Sequence, residues 1–140
     1  MKLDMTYEDT WNTRTRRLAE LGVDSYDDYL QTQHWIDSRS KAHKRSNYHK
    51  CEICSSREVQ LHHSSYTWIG TKFELRSVNA FCPLHHKLIH DLAKESGVSV
   101  RLCTNIVRDP SSETSRYQIL EVNKDFFKYL IQIRHLLEME

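Results

Sequence analysis

Cys51-Glu52-Ile53-Cys54, followed after 27 residues by Cys82-Pro83-Leu84-His85-His86-Lys87-Leu88-Ile89-His90, is the stretch of this 140-residue sequence that decides its fold. Cys51-x-x-Cys54 and Cys82-x-x-His85 are two chelating pairs, the pattern from which a tetrahedral zinc knuckle is assembled out of two short turns. One such pair is weak evidence, but two in a segment this dense in ligands point to a structural Zn2+ held by Cys51, Cys54, Cys82 and His85. Zinc closed by four protein ligands has no open position, so this metal holds the fold and any hydrolysis needs a second site.

Four histidines near the knuckle are not used by it. His86 and His90 lie four residues apart, so on a helix they project from one face, about 5–6 Å apart at Cβ, which suits one divalent ion. His62 and His63 are adjacent, and on a strand they point to opposite sides of the sheet. One of them can complete the metal site, while the other stays off the metal and takes a proton from water as a general base.

Outward from this segment, the pattern is of mixed helix and strand. Residues from Cys51 to Phe81 are rich in turn and β-type residues, predicting a hairpin whose strands start near Val59 and end near Phe81, with Gly70 in the loop between. From Pro83, the residues Leu84, Leu88, Ile89 and Leu92 mark a helix ending by Gly97. Upstream, Thr6 caps a helix to about Leu21, Ser25 to Asp28 is a capping-box pattern opening a short helix, and a third helix is expected from Thr32 to Ser46. Downstream, Val98 to Val107 and Tyr117 to Val122 read as strands around a polar connection, and Asn123 to about Glu138 as a final helix with Phe126, Leu130, Ile133 and Leu137 on one stripe. Tyr66 and Trp68 are read as packing residues rather than as stacking platforms.

No apolar run approaches the length needed to span a bilayer, and 39% apolar with 28% charged residues is ordinary for a globular chain. MKLDMTYEDT has neither the basic start nor the apolar stretch of a secretory signal, so a cytoplasmic location with reduced cysteines is expected. Cys103, apart from the knuckle, reads as a small buried hydrophobe. The net charge of +1 hides an uneven distribution. The excess of cations falls on the middle of the chain, where Arg39, Lys41, Lys44, Arg45 and Lys50 form a run free of acids. Such a run suits phosphate contacts that do not read sequence.

The set Cys51, Cys54, Leu61-His62-His63, Tyr66, Gly70, Cys82 and His85-His86-x-x-x-His90 resembles the HNH endonucleases. It is similar in particular to the small HNH proteins of bacteriophage genomes, with the ββα-metal fold shared by colicin nucleases. Tyr26-x-x-Tyr29-Leu30, Trp35 and Arg39 resemble the helical lead-in of such proteins, so the resemblance covers roughly residues 25 to 93. With the element pattern on either side, an N-terminal helical extension with the basic run over 1–47 and a C-terminal strand and helix extension over 94–140 that the resemblance does not reach, it implies an α+β fold around an HNH core over 48–93. It further implies His62, His86 and His90 as ligands of a catalytic Mg2+ or Mn2+ and His63 as the base, cutting DNA, most simply double-stranded, to a 5′-phosphate and a 3′-hydroxyl in a bacterial host cell. The family's Asn or Asp, expected five residues before Cys82, is Ser77 here, with Asn79 as the alternative on the same strand face. His85 stands where a second Cys is usual.

Two rivals remain open on sequence grounds. One is a non-catalytic zinc-bearing module that binds nucleic acid or protein, favoured by Ser77; the other is an RNA nuclease, since the residues do not discriminate the sugar. The stripe over 123–138 also offers a surface for a second chain.

Overall fold

The computed structural model describes residues 3–139, with side chains to residue 132. Among the described residues, seven helices surround one two-stranded antiparallel sheet, an α+β architecture. No described helix is long and apolar enough to cross a membrane.

The N-terminal helices begin where their capping residues dictate. In α1 (Tyr7–Glu20), the Thr6 hydroxyl accepts from Asp9 N at 3.0 Å while the Asp9 carboxylate accepts from Thr6 N, a reciprocal capping box. Ser25 caps α2 (Tyr26–Tyr29) by accepting from Asp28 N, and Thr32 caps α3 (Gln33–His43) by accepting from Trp35 N, each without the reciprocal bond. The third helix stops three residues short of the expected Ser46, which instead opens a 3-10 turn, Ser46–Tyr48.

The hairpin pairs β1 (Gln60–His63) with β2 (Val78–Phe81), His62 opposite Asn79 and His63 opposite Val78. Side chains alternate across a sheet, so this register sorts the site residues onto two faces. Leu61, His63, Val78 and Ala80 face a core made with Leu18, Tyr29, Trp35, Tyr48, Tyr66 and Ile69. Gln60, His62, Asn79 and Phe81 face the other way, toward α4 (Pro83–Ser96). There Phe81, Leu88, Ile89 and Leu92 join residues from the C-terminal third in a second core. Each large apolar side chain closed off in these cores contributes about 1.5–3 kcal/mol relative to exposure.

The chain after Gly97 corrects the strand expectation. Val98–Val107 and Tyr117–Val122 are not strands; the region folds as α5 (Val100–Arg108) and α6 (Glu113–Val122), followed by α7 (Phe126–Met139). The β-branched content that suggested strands is overridden by a helical repeat in what is buried: Val100, Cys103, Ile106 and Val107. Ser99 caps α5 by accepting from Leu102 N, and Ser112 caps α6 by accepting from Ser115 N. In α7, Phe126 and Leu130 are buried; Ile133 and Leu137 of the expected stripe lie outside the described side chains.

Both ends of the fold are tied to the helix that carries the histidines. Tyr7 N donates to Gly97 O at 2.8 Å, and buried Thr10 accepts from Val100 N at 3.1 Å. From the other side, Asn123 Nδ2 donates to Ser96 O at 2.8 Å.

Candidate metal centre

The two chelating pairs meet at the start of α4. The first pair lies on a turn in which Ser55 N donates to Cys51 O, Ser55 itself adopting a left-handed φ of 63°. Glu52 N donates to Ala80 O, which fastens that turn to β2. Cys82 is the N-cap of α4 and Pro83 its first residue, so His85 comes round to the same side within one turn. Cys82 Sγ and Cys51 Sγ lie 3.2 and 3.6 Å from His85 Nδ1, and Cys54 Sγ lies 3.7 Å from Cys82 Sγ. A tetrahedral zinc ion with ligand bonds of roughly 2.0–2.3 Å has edges of roughly 3.3–3.8 Å. Cys51, Cys54, Cys82 and His85 therefore fit one zinc ion by donor chemistry and by spacing.

The thiols are shifted by their surroundings. Burial raises the Cys51 thiol, but N–H groups of Cys82, Cys54 and Ile53 outweigh it and hold it below the usual range. Burial, with the neighbouring thiols of Cys54 and Cys51, raises that of Cys82. Cys103 belongs to neither cluster: it is fully buried, its thiol pushed up to about 12 by burial.

A second cluster forms on the β1 face toward α4. The ligand nitrogens of His62, His86 and His90 all lie within 4.8 Å of one another, and His86 Nε2 is 3.1 Å from His90 Nε2. Neighbours fix the tautomers. His86 Nδ1 is 2.7 Å from Gln60 Oε1, which can only accept, so Nδ1 carries the proton and Nε2 the lone pair. Thr104 donates its hydroxyl to Val100 O at 2.7 Å, so it accepts from His62 Nε2 at 3.0 Å and leaves Nδ1 of His62 as the free donor atom. Burial lowers all three imidazoles, His62 well below its ordinary value and His90 to about 4. Neutral rings with oriented lone pairs are what a divalent cation requires, so this set also fits a metal, with coordination positions to spare.

His63 points to the opposite face, into a buried polar group. Its Nε2 is 2.7 Å from Glu74 Oε2, both side chains being closed to solvent, and its Nδ1 is 2.7 Å from the Tyr26 hydroxyl. Glu74 Oε1 accepts from the Tyr29 hydroxyl and from Gly70 N, and lies 3.2 Å from His34 Nε2. Burial raises the Glu74 carboxyl, but the hydrogen bonds from His63 and Tyr29 outweigh it and hold it below the usual range. The ionised carboxylate accepts a hydrogen bond from His63 Nε2–H, which puts the lone pair on Nδ1, facing the Tyr26 hydroxyl. Gly70 makes the loop possible: its φ is +78°, and a Cβ there would meet the Leu21 side chain at 2.6 Å.

Arg14 lies between the two groups. Its guanidinium stands 4.5 Å from the Trp11 ring centroid, 5.1 Å from that of Tyr26 and 5.5 Å from that of Tyr66. Trp11 in turn stacks on His90 at 6.4 Å, and Tyr66 on His63 at 5.8 Å.

The remaining site residues read from the sequence fall in several places. Ser77 acts through its carbonyl, which accepts from Ser64 N and Oγ, and Asn79 shares the face of His62 rather than that of His63. The group that holds the His63 ring is Glu74, which sequence reasoning missed although it is the single acid between Val59 and His90. In the sequence Tyr26 stands only as part of the helical lead-in, and Arg14, Gln60 and Thr104 carry no local signal. The basic run splits: Arg39 lines a hollow with Tyr26, Trp35 and Tyr48, Lys41 and Arg45 line another, and Lys44 and Lys50 are exposed. Tyr66 is buried and Trp68 packs edge-on against Phe73.

Compared with family models, curated proteins and solved structures, the chain matches none.

Proposed function

We propose that this chain is a metal-dependent phosphodiesterase of the HNH type, hydrolysing DNA. The observation that carries the reading is the convergence of His62, His86 and His90, tautomers fixed by Gln60 and Thr104, beside a separate Cys3His set. A structural zinc and an open three-histidine site on one hairpin and helix are the parts that a ββα-metal nuclease needs. Three imidazoles and no carboxylate favour Mn2+ or another transition ion over Mg2+. When bound, such an ion polarises a phosphoryl oxygen and stabilises the departing 3′ oxygen.

The chain's own residues supply the proton chemistry. His63 Nδ1 is the acceptor, with Glu74 holding Nε2–H and stabilising the imidazolium that forms. The Tyr26 hydroxyl stands at Nδ1, so the water proton reaches His63 through Tyr26 or after that hydroxyl turns aside. Water oxygen bonds to phosphorus, the P–O3′ bond breaks, and the leaving oxygen takes a proton from solvent water to end as a 3′-hydroxyl. Arg14 adds positive charge beside the histidine cluster, where it favours negative charge on the phosphoryl oxygens.

Supercoiled plasmid and an RNA of matched length, each incubated with Mn2+, with Mg2+ and with EDTA, test this reading beside His63→Ala. The expected result is metal-dependent cutting of DNA that is lost in the variant. A second reading, a zinc-bearing binding module without catalysis, is favoured by the fact that both nitrogens of His63 are engaged within the protein. Uncut substrates with bound zinc would establish that second reading instead.

A further inference from the structure

A second polar concavity lies on the α3 side of the hairpin, away from the three-histidine cluster. It is a cleft of about 510 Å3 between α3 and the loop over 71–76. His34, Ser38, Lys41 and Arg45 line it from one stripe of α3 and its C-terminal end, while Lys72 and Arg76 face them from the loop. Phe73 holds the two loop cations in place, with Lys72 Nζ 5.1 Å and Arg76 Cζ 4.4 Å from its ring centroid.

The charge of this cleft is not balanced from within. Among the described residues, Lys41, Arg45, Lys72 and Arg76 form no ion pair with a carboxylate. Glu74 is the one acid in the lining, and its oxygens are already held by His63, Tyr29 and Gly70. Four like charges around one concavity repel each other, and the protein walls concentrate their field on whatever enters. A multiply charged anion removes that repulsion. The volume matches a nucleotide-sized ligand, and two guanidiniums offer the paired donors that fit phosphate oxygens.

We propose that this cleft is a phosphate-binding subsite, taking a phosphate ester from a nucleic-acid strand or from a free nucleotide. It deepens the nuclease reading in the matter of substrate class and rests on that reading there, but it does not depend on the metal centre cutting anything. His34, half-exposed at the floor against Glu74, reports on occupancy.

The test uses the full zinc-loaded chain with no added Mg2+ or Mn2+. A short labelled oligonucleotide is titrated by fluorescence anisotropy at several salt concentrations. Two cleft variants, Lys41→Gln with Arg45→Gln and Lys72→Gln with Arg76→Gln, are compared with Lys94→Gln and Lys124→Gln, exposed cations outside the cleft. Each cleft pair is expected to weaken binding about tenfold and to lower the salt slope by about two, the control pair by less than about threefold. In a second arm, inorganic pyrophosphate is titrated while the His34 imidazole is followed by NMR, with a saturable shift expected that both cleft variants lose. Equal losses in cleft and control variants, with no shift of His34, overturn the subsite. A His34 shift without oligonucleotide binding keeps the subsite for free phosphate esters and removes nucleic acid as its source. Failure of the nuclease reading shows elsewhere, as uncut DNA with metal present, and leaves these binding results standing.

Discussion

Glu74 and His63 meet at 2.7 Å with neither side chain open to solvent, although His63 ends β1 and Glu74 lies 11 residues on, in a turn of the hairpin connection. A buried carboxylate beside a buried imidazole costs desolvation on both, and is stable here because Tyr29 and Gly70 satisfy the second carboxylate oxygen.

Glu74→Gln keeps the shape and removes the charge. The expected loss is about 1–3 kcal/mol at neutral pH, read as a shift of the urea midpoint. The pH dependence follows from the depressed carboxyl of Glu74. A carboxyl held lower in the folded than in the unfolded chain stabilises the fold above the unfolded value, and this contribution is lost as pH falls through the folded value. The gap between wild type and Glu74→Gln is therefore expected to be full above about pH 5 and to close below the ordinary carboxylate value of 4.5. A gap that stays constant from pH 6 down to pH 3 would show that charge is not what this contact supplies.

The four cysteines are expected to react with a thiol reagent in two classes. With zinc bound, all four are slow. Chelation at neutral pH exposes Cys51, Cys54 and Cys82, while Cys103, buried and with its thiol pushed up to about 12, waits for urea. Rapid reaction of Cys54 in protein containing stoichiometric zinc would exclude it from the ligand set.

Gln60→Ala and Thr104→Val each release one imidazole tautomer without touching a ligand atom. Partners of this kind are worth about 10–100-fold in metal affinity. Mn2+ binding to the second site, followed by electron paramagnetic resonance, is expected to weaken by that factor in each variant while zinc content stays at one. Unchanged Mn2+ affinity in both would remove Gln60 and Thr104 from the site.

What the sequence made legible was local. Thr6, Ser25, Thr32 and Gly97 mark helix ends because capping needs only residues three or four apart. The Cys and His spacing picked out Cys51 with Cys54, Cys82 with His85, and His86 with His90 for the same reason, each pair sitting within one turn, whereas His62 rather than His63 as the third histidine followed only from the family resemblance. The expected strand over Val98 to Val107 is a helix from Val100 because Val and Ile favour strands in isolation, whereas here the helical repeat of buried positions prevails. Glu74 and Tyr26 escaped notice as partners of His63 because each contact depends on a loop closing or a helix docking, which composition and spacing do not encode. The basic run looked like one surface, yet Arg39 and Lys41 line different hollows, since neighbouring residues on a helix face different ways.

The most direct test is plasmid cutting by the zinc-loaded chain as Mn2+ is titrated in, beside His90→Ala. His90 is half-buried, so the variant is expected to keep its fold and one zinc. The proposed function predicts cutting that saturates with occupancy of the second site and falls at least about 100-fold in His90→Ala, an acceleration of the size that metal and positioned donors supply. Intact plasmid with both sites of the wild type filled, or equal cutting by His90→Ala, would contradict it.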